Sequence, residues 1–194
     1  MRHNNTLENF ISVYDNVISE NSCQHIIQES TNLNWIDQVY NVQGNFLSEG
    51  MEVCFNLGTK SKLILDLPIK NTIETYIKTK GENLFSVKGI SPIRLNRYKL
   101  NSRMHSHIDH QPVYRLTANQ NINSTENVLS GIPILTLIGT LNDDYEGGEI
   151  IFWDDYQPAL KAGSVVIFPS NFLFKHTINT IKTGTRYSFI VWVW

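Results

Sequence analysis

From about residue 84 to the C-terminus the chain is a succession of short apolar segments separated by turn residues. "SPIRLNRYKL", "RMHSHID", "IPILTLIGTL", "GEIIFW", "SVVIFP", "FKHTINTI" and "RYSFIVWVW" are each rich in β-branched or aromatic side chains, the composition of strands in packed sheets. So many strands in so short a span leave few solutions: two packed sheets or a closed barrel. No alternation of strands with helical patterns supports a parallel sheet. The one biased segment, "TANQNINSTENVLSG" (117–131), predicts a long polar surface loop, either a functional lid or an inert insertion.

Residues 1–83 have a different texture. "VISENSCQHIIQESTNLNW" puts Cys23, Ile26 and Ile27 at i, i+3 and i+4 behind Ser19, which predicts a helix capped by that serine. "DLPIKNTIETYIKTKGEN" offers Asp66 as a cap, Pro68 in the first turn, a stripe of Ile69, Ile73, Tyr76 and Ile77, and Gly81 as a stop. Between them, "VYNVQGNFLSEGMEVCFNLG" reads as short strands or a hairpin with glycine-marked turns. The expectation is an α+β chain forming one domain over 1–194. An all-β core of 84–194 is flanked on one side by the helices and strands of 1–83.

Composition narrows the function. At 194 residues the chain is long enough to bury a core of its own. Its 16 Lys+Arg against 18 Asp+Glu, net −2, give no basic footprint for nucleic acid. Cys23 and Cys54 are too few and too far apart for a disulfide framework or zinc knuckle, and are expected as reduced core residues. "MRHNNTLENF" has no apolar leader region, and no apolar run approaches the ~18 residues of a membrane helix. A soluble, cytoplasmic protein is expected. The N-x-[ST] matches at Asn4 and Asn123 then carry no meaning.

Chemistry concentrates in "HSHIDH" (105–110). In an extended strand His105, His107 and Asp109 point one way, and Ser106, Ile108 and His110 the other. Three candidate ligands on one face exceed what a single ion takes from one strand, so the rest of the chain must choose among them. A further histidine, His176, follows the strand "SVVIFPS", and Arg186 comes ten residues later in "TGTRYSF". Two imidazoles and a carboxylate from separate strands make the three-ligand face of non-heme Fe(II) oxygenases, with open positions for a bidentate oxo-acid and dioxygen. An arginine fork anchors the far carboxylate of such an acid better than lysine does. Arg186 and Ser188 share a strand face and can donate to the same group.

Taken together, "YKLNSRMHSHID", "LTLIGTLNDDYEGGEIIF", "LKAGSVVIFPS" and "HTINTIKTGTRYSFIVWVW" resemble the 2-oxoglutarate- and Fe(II)-dependent dioxygenases, in their prolyl 4-hydroxylase-like branch. The resemblance runs from about Arg94 to Trp194, and "ISVYDNVISENSCQHII" is similar to the branch's opening strand and helix. It implies a double-stranded β-helix, or jelly roll, and selects His107, Asp109 and His176 as the metal ligands with Arg186 as the cosubstrate anchor. Fe(II), 2-oxoglutarate and O2, with ascorbate as a supporting reductant, are the implied cofactors. Asp109 stands where related halogenases lack a carboxylate, so hydroxylation of a C–H bond is the implied reaction.

The chain departs from the family at Asn101, where a glycine is usual; Asn tolerates left-handed backbone. It departs again at Thr140, where relatives carry an aromatic whose hydroxyl reaches 2-oxoglutarate. Thr140, Thr136 or Tyr98 can supply that contact, or each can be ordinary strand packing. His105 falls outside the ligand set, at the mouth of the site or without a role, and His110 points away. Gly147, Gly148 and Glu149 serve a hairpin; Trp153, Trp192 and Trp194 are core or rim aromatics. The resemblance favours a peptidyl proline gripped by 112–131 and 40–60, with a free amino acid or small metabolite as the alternative. Nucleic-acid dealkylases carry a second arginine six residues after the anchor, where this chain has Trp192. A cupin using His105 and His107 is a rival, weakened because Gln111 stands where cupins prefer glutamate. A non-catalytic binding module is the other.

Overall fold

The computed structural model describes residues 6–39, 41–42, 45–81, 86–110, 113–115 and 128–194. Asn4, Gln111, Asn123 and most of the polar stretch 117–131 lie outside them. In chain order the elements are β1 (Ser12–Tyr14), α1 (Glu20–Ser30), β2 (Ile36–Asp37), β3 (Asn41–Val42), β4 (Asn45–Phe46), β5 (Ser48–Cys54) and α2 (Thr59–Lys80). There follow β6 (Arg94–His107), β7 (Val113–Arg115), β8 (Val128–Gly131), β9 (Leu135–Thr140), β10 (Ile150–Phe152), β11 (Val165–Pro169), β12 (His176–Ile178) and β13 (Arg186–Val193). The main sheet runs β1-β11-β9-β13-β6-β12-β10, with β5 added against β6 and β2 against β5. Its pairings are antiparallel. The result is a half-barrel with two helices, to which each strand segment quoted from residue 84 onward contributes; β3 with β4 and β7 with β8 form separate two-stranded sheets.

Alternation along the strands sorts side chains into two cores. Leu135, Leu137, Val165, Ile167, Phe189, Val191 and Val193 meet Cys23 and Ile26 of α1 and Leu65, Ile69, Ile73 and Tyr76 of α2. The intervening residues Ile138, Val166, Phe168 and Ile190 face the other way and pack with Tyr98, Met104, Phe152, Phe174 and Ile178. β9, β11 and most of β13 are therefore buried on both faces, which is why their sequences read as continuous apolar runs rather than as alternation. The threonines and serines embedded in them, Thr136, Thr140 and Ser188, are buried on the inner face.

Ser19 caps α1, its hydroxyl accepting from the Ser22 backbone N–H at 3.3 Å. The second helix differs from the sequence expectation. It begins at Thr59 behind Gly58 rather than at Asp66, and Pro68 lies in its interior. The physical reason is a longer apolar stripe: Ser61 and Leu65 are buried in register with Ile69, Thr72, Ile73 and Tyr76. Burial of that row outweighs the hydrogen bond that proline removes. Gly58 lies against the Glu29 carboxylate, which accepts from the Ser61 hydroxyl. Gly81 ends the helix with φ +124°.

β6 also differs, running unbroken where two strands are expected. It bends instead: between Tyr98 and Arg103 it advances five residues while β5 advances two, from Met51 to Glu49. Asn101 sits in the left-handed region at φ +65°, the conformation anticipated for it. Gly50, at φ +66°, lies against Ser102, whose hydroxyl donates to the Gly50 carbonyl at 2.7 Å. Cys23 and Cys54 are free and buried, and burial pushes the Cys23 thiol up to about 11. No helix among the described residues is long and apolar enough to cross a membrane.

The start of α2 is testable by paired truncation. Leu65, fully buried, is expected to cost roughly 2–5 kcal/mol when replaced by alanine, the usual range for a core leucine. Leu67, 64% exposed two residues later, should stay within about 0.5 kcal/mol. Urea unfolding of both variants measures this, and equal losses would refute the burial register of the helix.

Candidate active site

His107 and His176 are direct cross-strand partners at the ends of β6 and β12. Their ring centroids lie 4.2 Å apart. Asp109 follows two residues after β6, with Oδ1 3.6 Å from His107 Nε2 and Oδ2 4.0 Å from His176 Nε2. One donor atom from each of the three lies within 4.8 Å of the others. In both histidines Nδ1 contacts a backbone carbonyl two residues back: His105 O at 2.8 Å for His107 and Phe174 O at 3.1 Å for His176. A carbonyl only accepts, so Nδ1 carries the proton and each Nε2 presents a lone pair to the centre. Two neutral imidazoles and a carboxylate are the donor set that suits Fe(II).

Electrostatics hold that protonation state. His176 is enclosed by Phe152 and Phe168, at centroid distances of 5.4 and 5.1 Å. Burial, with His107 adding to it, pushes His176 down to about 4 against the pull of Asp109. Burial works the other way on Asp109, yet His176, His107, the Thr136 hydroxyl and Arg94 together hold its carboxyl below the ordinary carboxylate value. Burial thus favours a neutral His176, and Asp109 stands beside it as a carboxylate.

His105 does not join the group, and a bulge explains why. From Ile178 to His176 β12 advances two residues, while β6 advances three, from Met104 to His107. The extra residue breaks the alternation that would put His105 and His107 on one face, a common use of bulges beside functional sites. Met104 packs inward and His107 faces His176, whereas His105 contacts Glu49 Oε1 at 2.7 Å and is 41% exposed. The His-x-His register of a cupin is not what the structure assembles. His110 Nδ1 contacts the Pro133 carbonyl at 3.0 Å.

The remaining candidates line the inner face of the sheet. Arg186 is buried, with Nη1 donating to Ser188 Oγ at 3.0 Å and the guanidinium 5.4 Å from the Tyr98 ring centroid. Its Nη2 is buried with no hydrogen-bond partner among the described residues, and so is Thr140 Oγ1. Thr140 is the cross-strand neighbour of Ser188, as Tyr98 is of Arg186. An orphaned guanidinium nitrogen and an orphaned hydroxyl on adjacent strands fit a carboxylate that would satisfy both. Gly148 makes room: a Cβ there would meet Ile181 Cδ1 at 2.5 Å and Arg186 Cδ at 3.0 Å. Arg186 also forms one wall of a cavity of about 170 Å³ with Tyr145, Gly148, Ile150 and Leu160. Gly147 meets the Thr180 backbone at the turn, while Gly148 lies against Arg186.

Thr136 has a different position from Thr140. Its hydroxyl donates to Asp109 Oδ2 at 2.9 Å and contacts Ser170 Oγ at 2.9 Å, so it meets the carboxylate of the cluster. The structure adds Arg94 and Ser170, which sequence reasoning did not single out. Arg94 lies 4.7 Å over the Trp192 ring and donates to Asn96 Oδ1 at 2.9 Å. The signal was the recurrence of Arg94, Asn96 and Tyr98 at period two, all three on one face of the strand that ends at His107. Trp192, expected as a core or rim aromatic, packs against the inner core and carries a buried indole N–H without a partner among the described residues.

A family model described as the 2OG-Fe(II) oxygenase superfamily matches residues 93–194. The chain belongs to that superfamily. Its members work with Fe(II), 2-oxoglutarate and O2, and the clustered histidines and aspartate fit that requirement. A PKHD-type hydroxylase of Cupriavidus metallidurans is 24% identical over 190 residues, 91% of this chain and 75% of that protein. One from Alteromonas mediterranea is 26% identical over 136 residues, 66% of this chain, and the match spans only 56% of its length. Among solved structures, the viral collagen prolyl hydroxylase of Paramecium bursaria Chlorella virus-1, as its 2-oxoglutarate complex, superposes with TM-score 0.67 at 16% identity over 95% of both chains. A Pseudomonas putida prolyl-4-hydroxylase gives TM-score 0.63 at 13% identity, covering 95% of this chain and 91% of that one. The half-barrel is the double-stranded β-helix of these oxygenases.

The buried neutral His176 makes a pH prediction. Its folded value lies below the ordinary imidazole value of 6.5, so between about pH 4 and 6.5 the unfolded chain binds a proton that the folded chain does not. Stability of the metal-free protein therefore rises with pH across that window, by at most ~1.4 kcal/mol per pH unit from this group. Urea unfolding at several pH values should give a shallower rise for His176→Gln. Parallel profiles would mean that His176 is not held neutral.

Proposed function

We propose that this chain is an Fe(II)- and 2-oxoglutarate-dependent hydroxylase acting on a peptidyl proline. His107, Asp109 and His176 hold the metal, and Arg186 with Ser188 and Thr140 holds the distal carboxylate of the oxo-acid. The observation that carries the reading is the convergence of two imidazole lone pairs and a carboxylate near a buried guanidinium with an orphaned donor. Bound Fe(II) with 2-oxoglutarate and O2 supplies a C–H oxidant, one oxygen atom going to the substrate and the other to succinate as CO2 leaves.

The protein's own share is binding and orientation. The carbonyls of His105 and Phe174 fix the imidazole tautomers. Phe152 and Phe168 exclude water from the His176 side. The Tyr98 ring and Ser188 Oγ set the plane of the Arg186 fork, whose charge matches a carboxylate. Reading 1–194 as one catalytic domain, with 84–194 as core and 1–83 as support, draws on the helix-side core, which unites side chains of both parts.

The prolyl substrate draws on the relatives. One solved neighbour is a prolyl hydroxylase of Trichoplax adhaerens in complex with a hypoxia-inducible-factor peptide fragment, TM-score 0.67 at 13% identity, covering 96% of this chain and 84% of that one. An apolar groove of about 940 Å³ lined by Phe10, Ile132, Ile134, Leu173, Phe174 and Trp194 adjoins the site, since the Phe174 carbonyl holds the His176 ring. Such a groove suits an extended peptide better than a free amino acid.

Two experiments test the reading. Titration calorimetry with Mn(II) should show Asp109→Ala and His176→Ala without measurable binding and His105→Ala within a few-fold of wild type. In the same assay Arg186→Ala should weaken 2-oxoglutarate by ~10-fold or more, the loss of a charge-assisted fork. Unchanged 2-oxoglutarate affinity would remove Arg186 from the site. The second assay supplies Fe(II), 2-oxoglutarate, ascorbate and O2 with proline-containing peptides, free amino acids and methylated oligonucleotides, and reads succinate and products one oxygen heavier by mass spectrometry. At least one prolyl peptide should gain oxygen and the oligonucleotides none. Oxidation of a free amino acid with every peptide inert would discard the prolyl substrate and keep the oxygenase.

A further inference from the structure

Asp109 differs from the two histidines in how it is held. His107 and His176 sit in paired strands, while Asp109 lies beyond the last residue of β6. Its carboxylate is not positioned by the sheet ladder. Yet it is nearly buried, with a side-chain exposure of 9%, and one of its oxygens is already engaged. The Thr136 hydroxyl lies 2.9 Å from Oδ2, and Ser170 Oγ lies 2.9 Å from Thr136 Oγ1. A carboxylate can only accept, so Thr136 spends its single hydroxyl proton on Asp109. Ser170 must then be the donor to Thr136. The direction runs one way: Ser170 to Thr136 to Asp109.

Both hydroxyls are rigidly placed. Thr136 is in the middle of the sheet, paired with Phe168 on one side and Trp192 on the other. Ser170 follows the last residue of β11, its backbone N–H bonded to the Ile134 carbonyl at 3.0 Å. Both residues are fully buried, so no water competes for their bonds. Thr136 is β-branched, which limits the rotation of its hydroxyl.

We infer that Ser170 and Thr136 are positioning residues that keep Asp109 a one-oxygen ligand, by anchoring Oδ2 through a hydrogen bond so that the carboxylate does not swing both oxygens onto one ion. The inference rests on the Fe(II) and 2-oxoglutarate reading. An Fe(II) held by His107, Asp109 and His176 would need open positions for the oxo-acid and O2. A carboxylate free to rotate can bind through both oxygens and take one of those positions. The relay prevents that rotation, so its value lies in coordination number as much as in affinity.

The test uses the full chain with Mn(II) and Co(II) as probes, read by calorimetry and by Co(II) visible absorption, which reports coordination geometry. Thr136→Val keeps the shape and removes the hydroxyl, and Thr136→Ser keeps the hydroxyl. Thr136→Val is expected to bind Mn(II) at least ~10-fold more weakly, the usual loss when an outer partner of a ligand is removed, with an altered Co(II) spectrum. It should also release more succinate per hydroxylated product. Thr136→Ser should restore affinity, spectrum and coupling, and Ser170→Ala should move all three in the direction of Thr136→Val by a few-fold. Wild-type Mn(II) affinity and Co(II) spectrum in folded Thr136→Val overturn the inference. If that variant does not fold, an unchanged Ser170→Ala does so instead. Wild-type protein that binds Mn(II) but releases no succinate with Fe(II) strikes the proposed function alone. Wild-type protein that binds neither ion overturns both.

Discussion

The site depends on one bent strand. β6 pairs with β13 in its first half and with β12 in its second, so a single backbone sets Tyr98 against Arg186 and His107 against His176. Two local devices make this possible. The left-handed Asn101 opposite Gly50 turns the strand, and the bulge between Met104 and His107 re-aims its end. A regular strand of the same length would keep strict alternation from Tyr98 onward. His107 would then face away from Tyr98 and Met104, on the side of the sheet opposite the barrel interior.

Burying this much polarity has a cost that the fold meets unevenly. The histidine Nδ1 protons, the Asp109 Oδ2 atom and one Arg186 nitrogen are satisfied by protein groups. Arg186 Nη2 and Thr140 Oγ1 are not. A buried unsatisfied polar atom costs roughly 1–3 kcal/mol. The sheet absorbs that cost because β9, β11 and β13 are packed on both faces, the outer one against α1 and α2. The helices that support the barrel thereby allow its inner face to stay primed for a ligand.

Much of this was legible in the sequence because it resides in composition and order. The strand segments of the C-terminal half, the Ser19 cap and the Gly81 stop are local signals, and the structure contains each. What was not legible depends on register. Asp66 and Pro68 resemble a helix start, but the buried row from Ser61 to Tyr76 carries the helix past them. His105 and His107 are equivalent by alternation, and only the bulge separates them. Thr136 and Thr140 share a strand face and are interchangeable in sequence, yet one bonds Asp109 and the other is orphaned opposite Ser188. These distinctions arise from pairing between distant strands, which a linear reading does not contain.

The two threonines show how one strand serves both halves of the chemistry. On β9 the inward positions are Thr136, Ile138 and Thr140, and the isoleucine separates the hydroxyls. Thr136 is opposite Trp192 and reaches the carboxylate; Thr140 is opposite Ser188, the partner of Arg186. Ile138 packs in the inner core with Phe168 and Ile190, an apolar divider between an end rich in metal-seeking groups and an end built around a cation. For the oxo-acid proposed above, an apolar middle with a charge at each end is complementary to that order. A five-carbon oxo-diacid has that shape. The spacing of two hydroxyls about one branched side chain thus ties the strand's alternation to the cosubstrate proposed for the site.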